Sequence, residues 1–241
     1  MSCPAPKRLR AYFQAAGLVG GLVLVALFGL HLAYRELFTV QPAGSIVAAP
    51  LLPSTAAGQS IVAEFTGLQR VEVLFATFGQ TLTHGQVIFH LRETPTSTTN
   101  LVTQQVAAAE ILDNSFHAFE FQPLTVPPGS ELYFVVETIG MTEAHALTVR
   151  GTADPDRYPD GAAYFHDLDD HEIQDLAFRL TYTPPLNQQL RYLLDRITAN
   201  KPLFFGDPRF YLGLLGSGLA LLYLLAVQWL QLLPSPEEKT D

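Results

Sequence analysis

The residues best equipped for chemistry are concentrated in one stretch, DPDRYPDGAAYFHDLDDHEIQDLAF, running from Asp154 to Phe178. It holds seven aspartates, Glu172, His166 and His171, with Arg157 as its only base. Oxygen ligands in this number suit a hard cation such as Ca2+. An EF-hand loop, however, needs ligands at positions 1, 3 and 5 with Gly at 6. Asp154, Asp156, Asp160 and Gly161 stand at 1, 3, 7 and 8, so that motif fails. A looser calcium site at a sandwich edge could draw on Asp154, Asp156, Asp160 and Asp175. Zinc on a helix uses histidines four apart and a third ligand; His166 and His171 are five apart with no third His or Cys beside them. A glycosidase needs two carboxylates facing across a cleft, and the spacing pairs no two of these acids. Their expected role is a solvated loop whose charge discourages edge-to-edge strand pairing. Tyr158, Tyr164 and Phe165, in the same stretch, are the aromatics placed to stack on sugar rings.

Elsewhere the chemistry is sparse. His84, His90, His117 and His145 are scattered, and neither a nucleophile elbow nor a glycine-rich phosphate loop occurs. The expectation is a chain with no catalytic residues and no cofactor, Ca2+ being the one ion the sequence leaves open.

The elements that would position these residues are strands. RVEVLFATF alternates Val71, Val73, Phe75 and Thr77 against a second, also largely apolar face, the pattern of a central strand. GQVIFHLRE points Val87, Phe89 and Leu91 inward and His90 and Arg92 outward. FHAFEFQ aligns His117, Phe119 and Phe121, and DLAFRLTYT aligns Leu176, Phe178, Leu180 and Tyr182. Turn signals separate them at Gly67, Thr83-His84-Gly85, Asp113-Asn114-Ser115, Pro127-Pro128-Gly129 and Pro159-Asp160-Gly161. Within AAAEILDNS there is room for one helical turn. Eight or nine short strands with almost no helix predict a mainly β fold, an antiparallel β-sandwich of the jelly-roll kind.

Two apolar runs flank this region. Residues 11–34 and 210–233 are each 24 residues long without Asp, Glu, Lys or Arg, and about 20 suffice to cross a bilayer as a helix. The first run is longer than a signal-peptide core and lacks a small-residue cleavage site after it, so it reads as an uncleaved anchor. Lys7, Arg8 and Arg10 before it, against Arg35 after it, predict a cytoplasmic N-terminus. The predicted organisation is a cytoplasmic N-terminus (1–10), a first span (11–34), an extended, proline-punctuated linker (35–57) and an extracytoplasmic sandwich (58–184). A juxtamembrane amphipathic helix and connector (185–209), a second span (210–233) and a cytoplasmic tail (234–241) follow. In the amphipathic segment Leu186, Leu190, Leu193, Leu194 and Ile197 form one helical stripe.

Between Glu36 and Arg209 there are 20 acidic and nine basic side chains, a formal −11. Such a surface repels phosphate backbones, which excludes nucleic acid as a partner. Cys3 is the only cysteine, so the exported region must be held by packing without disulfides.

The run GQSIVAEFTGLQRVEVLFATFGQTLTHGQVIFHLRE, followed by EFQPLTVPPGSELYFVVE and YPDGAAYF…DLAFRLTY, resembles an uncharacterised bacterial extracytoplasmic jelly-roll domain. That domain is similar in outline to carbohydrate-binding modules and occurs in membrane proteins, some of them glycosyltransferase-associated. The resemblance covers roughly 58–183. Its most specific parts are Gln59 with Phe65 six residues on, and Tyr158-x-x-Gly161 with Asp175-Leu-Ala-Phe178. It implies the sandwich fold and an outward location in the bacterial inner membrane, and it brings no catalytic residue. The expected function is a membrane-anchored binding or accessory protein in envelope polysaccharide or glycoconjugate handling. Its partners would be the lipid bilayer, other membrane or envelope proteins and a glycan. The alternatives are a docking subunit of a larger membrane complex and a hydrolase using the acids of 154–175.

Overall fold

The computed structural model describes residues 20–22, 29, 36–154, 157–168 and 172–231. The chain divides into a β unit, Glu36–Pro185, and a second unit made of Met1–Arg35 and Leu186–Asp241. In chain order the strands are β1 (Leu37–Gln41), β2 (Ile46–Val47), β3 (Ala56–Val62), β4 (Leu68–Ala76), β5 (Gln86–Arg92) and β6 (Val102–Ala107). They continue as β7 (Ser115–Leu124), β8 (Glu131–Ile139), β9 (Thr148–Thr152), β10 (Ala163–His166), β11 (Asp175–Leu176) and β12 (Phe178–Tyr182).

All pairings are antiparallel, in two sheets. One runs β1-β12-β4-β9-β11, with β7 on β4 and β2 on β9; the other runs β10-β3-β8-β5-β6. The predicted sandwich is therefore present. β4 is central: Val71, Val73 and Phe75 on one face are fully buried, Glu72 and Leu74 on the other are half-buried, and β7, β12 and β9 share its two edges. The alternation read on β5 holds, with Val87, Phe89 and Leu91 in the core and His90 and Arg92 half-buried on the outer face. Phe89 stacks on Phe119 at 4.4 Å and on Phe134 at 6.1 Å, joining three strands through the core. The helical turn expected in AAAEILDNS is a 3-10 turn, Ala108–Glu110.

One expectation needs revision. The expected linker, over its described residues 36–57, is not a free tether. Leu37–Gln41 pairs along β12 from Leu37 opposite Tyr182 to Gln41 opposite Phe178, and Ile46–Val47 pairs with β9. Leu51 is fully buried and its N–H donates to the Leu147 carbonyl at 2.9 Å. Pro42, Pro50 and Pro53 all fall between strands, where a missing N–H costs no ladder bond. The prolines shorten the strands without abolishing them.

The second unit contains α1 (Leu186–Thr198), a 3-10 turn (Leu203–Gly206) and α2 (Pro208–Gln231). α1 ends where Asn200 takes a left-handed conformation, φ 59°. α2 starts with Asp207 accepting a hydrogen bond from the Arg209 N–H at 2.9 Å and Pro208 in the first helical position. Among the described residues α2 is the one helix long and apolar enough to cross a membrane by length and composition. The first expected span falls outside the described residues apart from positions 20–22 and 29, as do both terminal tails.

Candidate functional site: the outer face of the five-stranded sheet

The described acids of the stretch stand in different surroundings. Asp154 is exposed and pairs with Arg157 at 2.8 Å. Asp160 is an exposed residue of the Pro159-Asp160-Gly161 turn, and Asp156 lies outside the described residues, as does His171. Asp175 is fully buried. Its two carboxylate oxygens accept hydrogen bonds from the Gln59 side-chain amide and the Tyr158 backbone N–H, both at 3.2 Å. The Gln59 carbonyl oxygen in turn accepts from the Leu176 N–H at 2.8 Å. Gln59 belongs to one sheet and Asp175 and Leu176 to the other, so this network clamps the two sheets together. Among the described residues no three His, Cys, Asp or Glu side chains gather to hold a metal.

Two of the three candidate aromatics are structural. Tyr158 is buried; its ring meets Phe178 edge-on at 5.1 Å and its hydroxyl accepts from the Val62 N–H at 2.9 Å. Burial holds its phenol above the ordinary range, against the lowering effect of the Val62 bond. Phe165 packs against the core. Every specific residue of the resemblance pattern is accounted for by this cluster: Phe65 sits edge-on to Tyr182 at 5.6 Å, and Gly161 lies so close to the Ser60 carbonyl that a Cβ there would overlap it.

Tyr164 differs. The two-residue period of β10 turns it away from Ala163 and Phe165, and it is 44% exposed. The register of the five-stranded sheet then sets it in one row with Gly58, Val135, His90 and Thr103, one residue from each strand. With strands about 4.8 Å apart, the row is roughly 19 Å long. Tyr133 and Arg92, cross-strand partners, flank it on one side; Glu137 and His166 lie on the other, both in register with Ala56. Tyr133 meets Tyr164 edge-on, with ring centroids 5.6 Å apart. Its ring occupies the space a side chain at position 58 would need: a Cβ there would stand 2.5 Å from the Tyr133 Cζ. Gly58 is thus the seat of the Tyr133 ring.

At the other end His90 Nδ1 and Thr103 Oγ1 are 2.9 Å apart, and the Arg92 Nε–H donates to Asn100 Oδ1 at 2.7 Å. Partial burial lowers the His90 pKa, the nearby Glu137 raises it and Arg92 lowers it; the net direction is down. Burial pushes the Tyr133 phenol up to about 12. The face thus presents two phenols, two imidazoles, one guanidinium and one carboxylate. It offers an aromatic end and a row of hydrogen-bond donors and acceptors, groups that can meet a molecule rich in hydroxyls. The sequence identified Tyr164 alone. Alternation already placed His90 and Arg92 outward, but their alignment with Tyr133 and Tyr164 depends on strand order across three non-sequential pairings.

No protein-family model matches the chain, and no curated protein matches it. Among solved structures it is similar to two of infectious bursal disease virus, the Gx strain and the VP2 subviral particle. Sequence identity is 10% and 12%, over 61% and 62% of this chain, with a TM-score of 0.28 in each case. The chain spans 37% of the length of each viral chain.

Proposed function

We propose that this chain is a two-span protein of a bacterial inner membrane that displays a jelly-roll module outside the cytoplasm. The outer face of its five-stranded sheet binds a neutral glycan of the envelope. The observation that carries this reading is the row Tyr164–Gly58–Val135–His90–Thr103, flanked by Tyr133 and Arg92. An exposed tyrosine offers the apolar face of a sugar ring a partner, and the neighbouring polar groups can bond its hydroxyls. The charge of the β unit supports a neutral ligand over an anionic one: residues 36–185 hold 18 acids and five bases, a formal −13.

The test is titration of residues 36–185 with neutral envelope oligosaccharides, preceded by a glycan array. Tyr164→Ala and Arg92→Ala should each weaken binding by about tenfold, equivalent to ~1.4 kcal/mol, while leaving the melting midpoint nearly unchanged. A blank array, or affinity indifferent to both substitutions, rejects the reading.

A docking role has one observation in its favour. β1 is an edge strand of the seven-stranded sheet, and its Phe38 and Val40 are 55% and 50% exposed. Exposed apolar residues on an edge suit a protein partner. Affinity purification from native membrane with Phe38→Ser as control separates the two: a partner lost with that substitution favours docking.

A further inference from the structure

α1 is too short to cross a bilayer. Its 13 residues span about 20 Å, against a hydrocarbon core of roughly 30 Å. Its sequence is nonetheless sharply two-sided. Leu186, Leu190, Leu193, Leu194 and Ile197 fall within an arc of roughly 100° at 3.6 residues per turn. Leu186, Leu190 and Ile197 of that arc are 58%, 49% and 46% exposed. Arg191 and Arg196 each lie about 60° beyond one edge of the arc, and both are exposed. An apolar stripe flanked on both sides by long cationic side chains is the geometry of a helix lying in the plane of a lipid interface. There the stems cover apolar surface and the guanidinium groups reach headgroup phosphates.

Three further observations point to lipid as the occupant. First, only Ala199–Asp207 separates α1 from α2, a 24-residue helix whose leucines, Leu212, Leu214, Leu215 and Leu219 among them, are exposed. A connector of nine residues reaches at most about 32 Å, so α1 stays within reach of whatever surface α2 enters. Second, the junction is aromatic: Phe204, Phe205 and Phe210 form a ring cluster with centroids 4.2 to 5.3 Å apart, and Tyr211 joins it at 5.3 Å from Phe210. Aromatic side chains concentrate at the depth of the headgroups. Leu203, beside them, is 87% exposed. Third, charge segregates. Residues 186–209 carry four bases and two acids, a net +2, directly after a β unit of net −13. The cationic segment complements phosphate headgroups while the β unit does not.

We infer that α1 lies flat in the outer interface of the phospholipid bilayer, with Leu186, Leu190 and Ile197 in the acyl region and Arg191 and Arg196 at the phosphates. This rests on the membrane-anchored reading above, and it makes α1 a footing on the membrane rather than a stalk. The test uses the full chain, with Cys3→Ser, reconstituted in phospholipid vesicles. Nitroxide labels are placed one at a time at Leu190→Cys, Ile197→Cys, Gln188→Cys and Asp195→Cys, and at Leu219→Cys in the middle of α2. Collision with oxygen, which partitions into lipid, is compared with collision with a water-soluble nickel chelate. The expected result is an oxygen-to-nickel ratio several-fold higher at 190 and 197 than at 188 and 195, with 219 highest. Equal ratios on both faces of α1, or positions 190 and 197 shielded from both reagents by protein, overturn the inference while a lipid-immersed 219 keeps the anchor. A water-exposed 219 rejects the anchor itself and the inference with it.

Discussion

At the residue scale, the most consequential acid of the stretch is Asp175, which meets no solvent. Asp175 accepts from Gln59 and from the Tyr158 N–H while fully buried. Asp175→Asn turns one acceptor into a donor that faces another donor. The expected cost is about 1–3 kcal/mol, read as a lower urea midpoint at unchanged slope. Tyr158→Phe removes both bonds of the hydroxyl to Val62, the one accepted from its N–H and the longer one donated to its carbonyl, and should cost about 1–2 kcal/mol. Asp160→Asn, at an exposed turn, should cost under 0.5 kcal/mol, and chelator should leave all of these midpoints where they were. A midpoint that drops on chelation, and drops less in Asp160→Asn, would instead support calcium at this stretch. Gly58 is the residue-scale counterpart on the outer face. Gly58→Val drives a side chain into the Tyr133 ring, so the aromatic end of the row should be lost even where the fold survives.

At the scale of elements, β7 carries a titration the rest of the sheet must accommodate. His117 is half-buried between Phe75 and Phe119, with ring centroids at 6.5 and 5.1 Å. Burial lowers its pKa, with Glu110 opposing, and His90 on β5 is lowered chiefly by burial too. A histidine whose folded pKa lies below the unfolded 6.5 binds its proton more readily in the unfolded chain. Stability therefore rises with pH through the window below about 6.5 and is lost as pH falls through the folded values. Asp113, held low chiefly by the Thr77 N–H, adds an acid loss only below about 3.9. The melting midpoint of residues 36–185 should fall between pH 7 and pH 5, and His117→Leu should flatten that fall. A midpoint level across the interval would contradict the assignment. The strands themselves were readable because alternation is a local signal: Val71–Thr77, Val87–Leu91 and Leu176–Tyr182 declare their buried faces without reference to partners. β1 and β2 were not, since five-residue and two-residue strands among prolines and small residues have too little pattern to stand out from an extended linker. The outer-face row was legible only at Tyr164, because Tyr133, His90 and Thr103 become neighbours through register, which no single strand encodes.

At the scale of the whole molecule, the membrane-anchored reading proposed above makes the distribution of charge decide the topology. Lys7, Arg8 and Arg10 precede the first apolar run and Arg35 alone follows it closely, while residues 36–185 are strongly acidic. Basic flanks are retained in the cytoplasm, so the N-terminus and the β unit should lie on opposite sides of the bilayer. The single native cysteine makes this directly measurable, since Cys3 reports the N-terminal side and a cysteine at the exposed Thr98 reports the β unit. In intact spheroplasts a membrane-impermeant maleimide should label Thr98→Cys and spare Cys3; after permeabilisation both should react. Labelling of Cys3 alone would invert the topology, and protection of both would place the β unit in the cytoplasm. Either result would remove the envelope glycan as a ligand, because the aromatic row on the five-stranded sheet would then face the wrong compartment.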